Sequence, residues 1–149
     1  MKTRRIKYIA VHCTASPQSW GRMELEMEFK RKGWKNPGYH FVVLLDGRII
    51  QMLEEEKVSN GVKGYNSVSI NVAYVGGIDS NGKAVDNRTD QQKYSMRSLL
   101  RILKKKYPDA IIQGHRDFSS DLNGDGRITP NEWIKMCPCF NAKDEYAKL

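Results

Sequence analysis

Short apolar segments that alternate with two longer helical patterns constrain the fold of this chain more than any other feature. Helices are predicted at about 20–32 and 89–107, and the second follows a good N-cap residue, Thr89. Its buried stripe is predicted to consist of Met96, Leu99, Leu100 and Leu103. Strands are predicted at 6–12, 39–45, 48–52, 70–75 and 109–113. The alternation predicts an α/β fold: one domain over 1–149, with a central mixed β-sheet of about five to six strands flanked by helices.

Charge and hydropathy narrow the classes of partner. The chain has 149 residues and a formal net charge of +8, which favours an anionic partner such as a nucleic acid, a lipid surface or a cell-wall polymer. No nucleic-acid-binding motif is present, so we expect no nucleic acid partner. No apolar run approaches the roughly 20 residues of a membrane span, and the apolar run after the basic N-terminus is too short for a signal peptide. We therefore expect synthesis in the cytoplasm.

Two histidines and a cysteine form a candidate metal site. His12 closes the first predicted strand, and His115 lies just past the fifth, so both can meet at one edge of the sheet. Cys137 can supply a third ligand from the C-terminal segment. Imidazole nitrogen and thiolate sulfur suit zinc, and three protein ligands leave one position for water. The alternative, a hydrogen-bonded histidine with structural cysteines, stays open on these residues alone; Cys13 and Cys139 are predicted to be small buried hydrophobes.

Five short motifs along the chain resemble a known family. They are VHCTAS at 11–16, RKGW at 31–34, GYHF at 38–41, GHRD at 114–117 and KMCP at 135–138. In this order and spacing they resemble the zinc-dependent N-acetylmuramoyl-L-alanine amidases of the phage-lysozyme type, whose fold is shared by peptidoglycan recognition proteins. The resemblance covers nearly the whole chain. It implies hydrolysis of the amide between N-acetylmuramic acid and L-alanine, with bacterial peptidoglycan as the partner.

The resemblance also implies a role for each motif residue. His12, His115 and Cys137 are the implied zinc ligands, while Tyr39 and Lys135 are the implied catalytic residues. Zinc lowers the pKa of its bound water to about 7, the Lys135 ammonium would stabilise the developing oxyanion, and the Tyr39 hydroxyl would orient the water or pass a proton. His40 is predicted to be structural.

The same resemblance frames the biology. We expect a monomeric endolysin of phage or prophage type that acts on the cell wall, in the periplasm, after release. The alternative is a toxin delivered by a secretion system. A non-catalytic peptidoglycan-binding module, or a regulatory module of the same fold, is the alternative function. One departure concerns the segment 59–64, where family members often carry a histidine and this chain has Gly61.

A second motif lies between His115 and Cys137. The pattern D-x-[DN]-x-[DN]-G-x5-E of a calcium loop is matched in full, and its ligands would be Asp121, Asn123, Asp125, Arg127 through its carbonyl, and Glu132. No long helix is predicted before it, and the loop is single rather than paired. A turn closed by its own hydrogen bonds would have the same spacing, so calcium and a self-bonded loop both remain as interpretations.

Overall fold

The computed structural model describes residues 4–119 and 136–149. Its strands are β1 Tyr8–Cys13, β2 Phe41–Val43, β3 Ile49–Gln51, β4 Ser69–Tyr74 and β5 Ile111–Gly114. Its α-helices are α1 Arg22–Arg31, α2 Asp90–Lys106 and α3 Ala142–Glu145, and short 3₁₀ turns cover Asn66–Val68 and His115–Phe118. Within this described part, no helix is both long enough and apolar enough to cross a membrane.

The described strands form one five-stranded sheet in the order β3-β2-β4-β1-β5. β1 runs parallel to both β4 and β5, and β2 runs parallel to β4, whereas β2 and β3 form an antiparallel hairpin. The predicted single-domain α/β fold, with a mixed sheet flanked by helices, is confirmed. Because β1 lies between two parallel neighbours, the residues at its carboxyl end are surrounded by the ends of β4 and β5.

The two faces of the sheet pack against different helices. On one face Ile9, Val11 and Cys13 of β1 pack against the buried stripe of α2. On the other face α1 contributes Leu25 and Phe29 to a smaller apolar cluster. His12 lies between Val11 and Cys13 in β1, so its side chain points to the opposite face, on which α1 packs.

Differences between predicted and observed bounds have local causes. The strand predicted at 39–45 is regular only over β2, because the Leu44 carbonyl already accepts the Gly47 N–H in the hairpin turn. In α1 the stripe of Leu25 and Phe29 is buried, whereas Met23 is 72% exposed. The N-terminus of α2 is as predicted: the Thr89 side chain caps it, as half of a capping box.

Candidate metal centre and active site

The structure brings together the three side chains that the sequence suggests as metal ligands. His12 lies in β1, His115 directly follows β5, and Cys137 belongs to the C-terminal segment before α3. One ligand atom from each lies within 4.8 Å of the other two. The Nδ1 atoms of the two histidines are 3.2 Å apart, so the imidazoles face each other through these nitrogens. His12 is buried, while His115 and Cys137 are half-buried.

Strand pairing and a small residue position these ligands. Val11 pairs with Gly114 in the parallel ladder, which places the residues that follow them, His12 and His115, side by side. Cys137 is held by its neighbours, since its sulfur accepts the Cys13 N–H at 3.0 Å and its carbonyl accepts the Arg116 N–H at 3.0 Å. A Cβ on Gly114 would lie 2.6 Å from Pro138, so glycine lets the C-terminal segment approach β5.

The donor set fits zinc. Two imidazole nitrogens and one sulfur are ligands that zinc prefers, and three protein ligands leave a coordination position for water or substrate. The Cys13 N–H donates to the Cys137 sulfur and so holds this donor atom in place. The fit therefore rests on the chemistry of the three side chains and on their convergence.

Tyr39 lies beside this group. Its ring centroid is 5.3 Å from that of His12, and its hydroxyl donates a hydrogen bond to the Cys13 carbonyl at 3.3 Å. The Phe29 ring contacts Tyr39 edge-on at 5.7 Å and helps to hold it from the α1 side. Burial, reinforced by the nearby Cys137 and Cys13 sulfurs, raises the pKa of Tyr39 well above its ordinary value. The Tyr39 hydroxyl therefore stays protonated at neutral pH and can donate a hydrogen bond.

The other two cysteines lie away from the metal group. Cys13 points to the opposite face of the sheet, where its sulfur is 4.0 Å from that of Cys139. The Cys139 thiol donates to the Gly77 carbonyl at 3.4 Å. Neither cysteine belongs to the group of His12, His115 and Cys137.

Sequence reasoning missed a buried polar network behind His12. The His12 Nε2 atom is 2.8 Å from the Asn71 Oδ1 atom, and the Asn71 Nδ2 atom donates to the Ser59 Oγ atom at 2.6 Å. His40 continues the network, because it accepts the Asn71 backbone N–H at 3.0 Å. Burial lowers the pKa of His40 to about 4, so its ring is neutral at pH 7. The sequence signal was the polar Asn71, which lies between the apolar residues Ile70 and Val72 in a central strand.

Two sets of predicted residues lie outside the described residues. Lys135, the second implied catalytic residue, is one of them. The candidate calcium ligands Asp121, Asn123, Asp125, Arg127 and Glu132 are the others.

Several known proteins resemble this chain in sequence and in fold. The family model described as N-acetylmuramoyl-L-alanine amidase matches residues 2–131. The endolysin of Klebsiella phage KP32 is 35% identical over 149 residues, which is 99% of this chain and 89% of the phage protein.

Solved structures of similar fold include the Ph2119 endolysin from a Thermus scotoductus bacteriophage. Its TM-score is 0.70 at 27% identity, covering 93% of this chain and 80% of that one. Drosophila PGRP-LB has a TM-score of 0.70 at 16% identity, covering 98% of this chain and 82% of that one, and so shares the fold.

Proposed function

Since the chain belongs to the N-acetylmuramoyl-L-alanine amidase family, we propose that it is a zinc-dependent amidase acting on bacterial peptidoglycan. The bond cleaved is the amide between N-acetylmuramic acid and L-alanine. The observation that carries the zinc dependence is the convergence of His12, His115 and Cys137, whose ligand atoms lie within 4.8 Å of one another. Relatives named endolysins support a phage or prophage endolysin that reaches the cell wall after release.

The residues of the site divide into those that hold the metal and those that act on the substrate. His12, His115 and Cys137 would hold zinc, which supplies a Lewis acid and a water whose pKa is lowered to about 7. The Tyr39 hydroxyl, kept protonated by burial, can turn its single O–H from the Cys13 carbonyl to donate a hydrogen bond to the attacking water or to the scissile carbonyl. Lys135 would offset the negative charge that develops on that carbonyl oxygen.

A non-catalytic binding or regulatory module is the competing function. The site disfavours it, because a module that only binds the polymer needs neither three metal ligands nor a protonated tyrosine beside them. The two functions differ in a single measurement, the appearance of free stem peptides in a digest.

The proposal is tested by metal analysis together with mass spectrometry of peptidoglycan digests. We expect one zinc per chain and release of stem peptides with a free L-alanine amino group. A chelator should abolish the release, and added zinc should restore it. Stem-peptide release that continues at full rate in metal-free protein would contradict the zinc dependence, and no release by zinc-loaded protein would favour the binding module.

The two cysteines near the C-terminus offer a matched pair of variants. Cys137→Ser should lose most of its zinc and activity, because serine is a poor zinc ligand. Cys139→Ser, two residues away and outside the ligand group, should retain both. Equal zinc content in the two variants would show that Cys137 is not a ligand.

A further inference from the structure

A chain of buried polar groups runs from His12 through β4 into the loop before it. His12, Asn71 and Ser59 are each at most 1% exposed. Asn71 is the connecting residue, with its Oδ1 atom 2.8 Å from the His12 Nε2 atom and its Nδ2 atom 2.6 Å from the Ser59 Oγ atom. Burying a polar group costs free energy unless the group is hydrogen-bonded. Each group in this network must therefore donate to or accept from its neighbour, which gives the network a defined direction of donation.

The direction follows from the far end of the network. The His40 Nε2 atom lies 2.8 Å from the Lys57 carbonyl, which can only accept, so Nε2 carries the proton and Nδ1 is the acceptor. The Asn71 backbone N–H and the Ser59 hydroxyl both point at this Nδ1 atom, at 3.0 and 3.2 Å. Because Ser59 donates to His40, its oxygen is left to accept from Asn71. Arg4, 3.3 Å from Nε2, instead donates to backbone carbonyls.

This assignment fixes the tautomer of His12. Ser59 accepts from the Asn71 amide nitrogen, so the Asn71 carbonyl oxygen must face His12. That oxygen can only accept, and the His12 Nε2 atom must therefore carry a proton. The lone pair of the His12 ring is then on Nδ1, the atom that faces His115.

Gly61 makes room for this arrangement. A Cβ at position 61 would lie 2.3 Å from both the Cγ and the Oδ1 atoms of Asn71. Contacts that short do not occur between unbonded atoms, so a Cβ at position 61 would force the buried Asn71 carboxamide out of its place. The requirement for glycine is steric.

We propose that Asn71 is a positioning residue for the metal ligand His12, and that position 61 must be glycine so that Asn71 can hold the His12 ring. Asn71 fixes the His12 ring as the Nε2–H tautomer and so presents the Nδ1 lone pair to the metal. The inference rests on the proposed zinc site. Loss of such a partner to a ligating histidine commonly lowers metal affinity about 10- to 100-fold.

Zinc affinity, measured on the 149-residue chain by competition with a chromophoric chelator, tests the proposal. Asn71→Leu keeps the same branching and number of side-chain heavy atoms but has no acceptor, and it should bind zinc about 10- to 100-fold more weakly than wild type. Asn71→Asp restores an acceptor and should remain within a few-fold of wild type. Gly61→Ala, which displaces the Asn71 carboxamide, should weaken binding as Asn71→Leu does.

Asn66→Ala is the matched control. The Asn66 side chain accepts the Gly61 and Val62 N–H groups and so shapes the same loop without contacting His12. It should bind zinc close to the wild-type affinity. If Asn66→Ala weakens binding as much as Asn71→Leu, or if Asn71→Leu binds as tightly as wild type, the proposal is wrong.

The tautomer itself gives a second readout that does not depend on activity or on metal. The chain has three histidines, so ¹⁵N spectra of the histidine side chains can be assigned with His40→Gln and His115→Ala. In both zinc-loaded and chelator-treated protein, His12 should carry its proton on Nε2, whereas chelator-treated Asn71→Leu should show a mixture of tautomers. A wild-type His12 protonated on Nδ1 would overturn the proposal, even if Asn71→Leu failed to fold. Wild-type protein with the expected tautomer but no affinity for zinc would refute the proposed function and leave the Asn71–His12 contact standing.

Discussion

The contribution of the Tyr39 hydroxyl to the reaction can be separated from the packing of the Tyr39 ring. Tyr39→Phe should retain zinc and unfold within about a few degrees of wild type, because the ring contacts with Phe29 and His12 remain and only the hydrogen bond to the Cys13 carbonyl is lost. Turnover should fall on the order of 100-fold, as when one hydrogen-bond donor to a developing charge is removed. Lys135→Ala should behave in the same way.

Rates on a muropeptide substrate, with zinc content measured on the same samples, provide the test. The control is Tyr94→Phe in α2, since Tyr94 is 77% exposed and lies outside the site. Wild-type turnover in Tyr39→Phe would show that the hydroxyl has no role in the reaction.

His40 predicts a pH dependence of stability. Burial lowers its pKa to about 4, from an ordinary 6.5, against the smaller opposing effects of the Lys57 carbonyl and Glu55. Between about pH 6.5 and pH 4, His40 is therefore protonated in the unfolded chain but still neutral in the folded protein. The free energy of unfolding should fall as the pH drops through this window, by at most about 3 kcal/mol, and this contribution should be constant above it.

Urea unfolding of wild type and His40→Gln between pH 4 and 8 checks this dependence. Since His12 and His115 are present in both proteins, the difference between the two pH profiles isolates His40. Parallel profiles would mean that His40 is protonated as readily in the folded protein as in the unfolded chain.

At the scale of elements, Arg88 joins the segment before α2 to the C-terminal helix. Its side chain is 2% exposed and pairs with Asp86 at 2.9 Å and with Glu145 of α3 at 2.8 Å. The guanidinium also lies 3.4 Å above the Phe140 ring, three residues after Cys137. The hydrogen bond to Arg88 lowers the pKa of Glu145 and keeps that carboxylate charged. Arg88 thus helps to hold the segment that carries Cys137, the third proposed metal ligand.

Arg88→Ala should lower both stability and zinc affinity. Removing one partner of a buried ion pair costs about 3 kcal/mol or more, and partial hydration of the two carboxylates places this case at the low end. The control is Arg22→Ala, because the Arg22–Glu26 pair is about half exposed on both sides and should contribute well under about 1 kcal/mol. Denaturant unfolding and chelator competition measure the two effects. Equal losses of stability and zinc affinity in the two variants would show that Arg88 contributes no more than an exposed ion pair.

At the scale of the whole molecule, the net charge of +8 should affect the encounter with an anionic wall. Added salt screens such an attraction, so kcat/KM on intact sacculi should fall several-fold between about 50 and 500 mM salt. On a short muropeptide, which offers few charges, the same change should have little effect. Equal salt dependence on both substrates would mean that salt acts on the enzyme itself rather than on its encounter with the wall.

Much of the fold and part of the site follow from short-range patterns in the sequence. The Thr89 cap and the apolar stripe of α2 depend on residues within a few positions of one another, and both are found in the structure. The placement of His12 and His115 at the ends of strands is equally local. Parallel strands end at the same edge of a sheet, so the sequence also made the meeting of the two histidines foreseeable.

Contacts between residues that no local pattern connects could be known only from the three-dimensional structure. The order of the strands places β4 beside β1, and this neighbourhood alone brings Asn71 to His12 across 59 positions of sequence. The approach of Cys137 to Cys13 spans 124 positions, and that of Arg88 to Glu145 spans 57. Periodicity and capping reflect the few residues nearest in the chain. Which elements become neighbours depends on how the whole chain buries its apolar faces and pairs its buried polar groups.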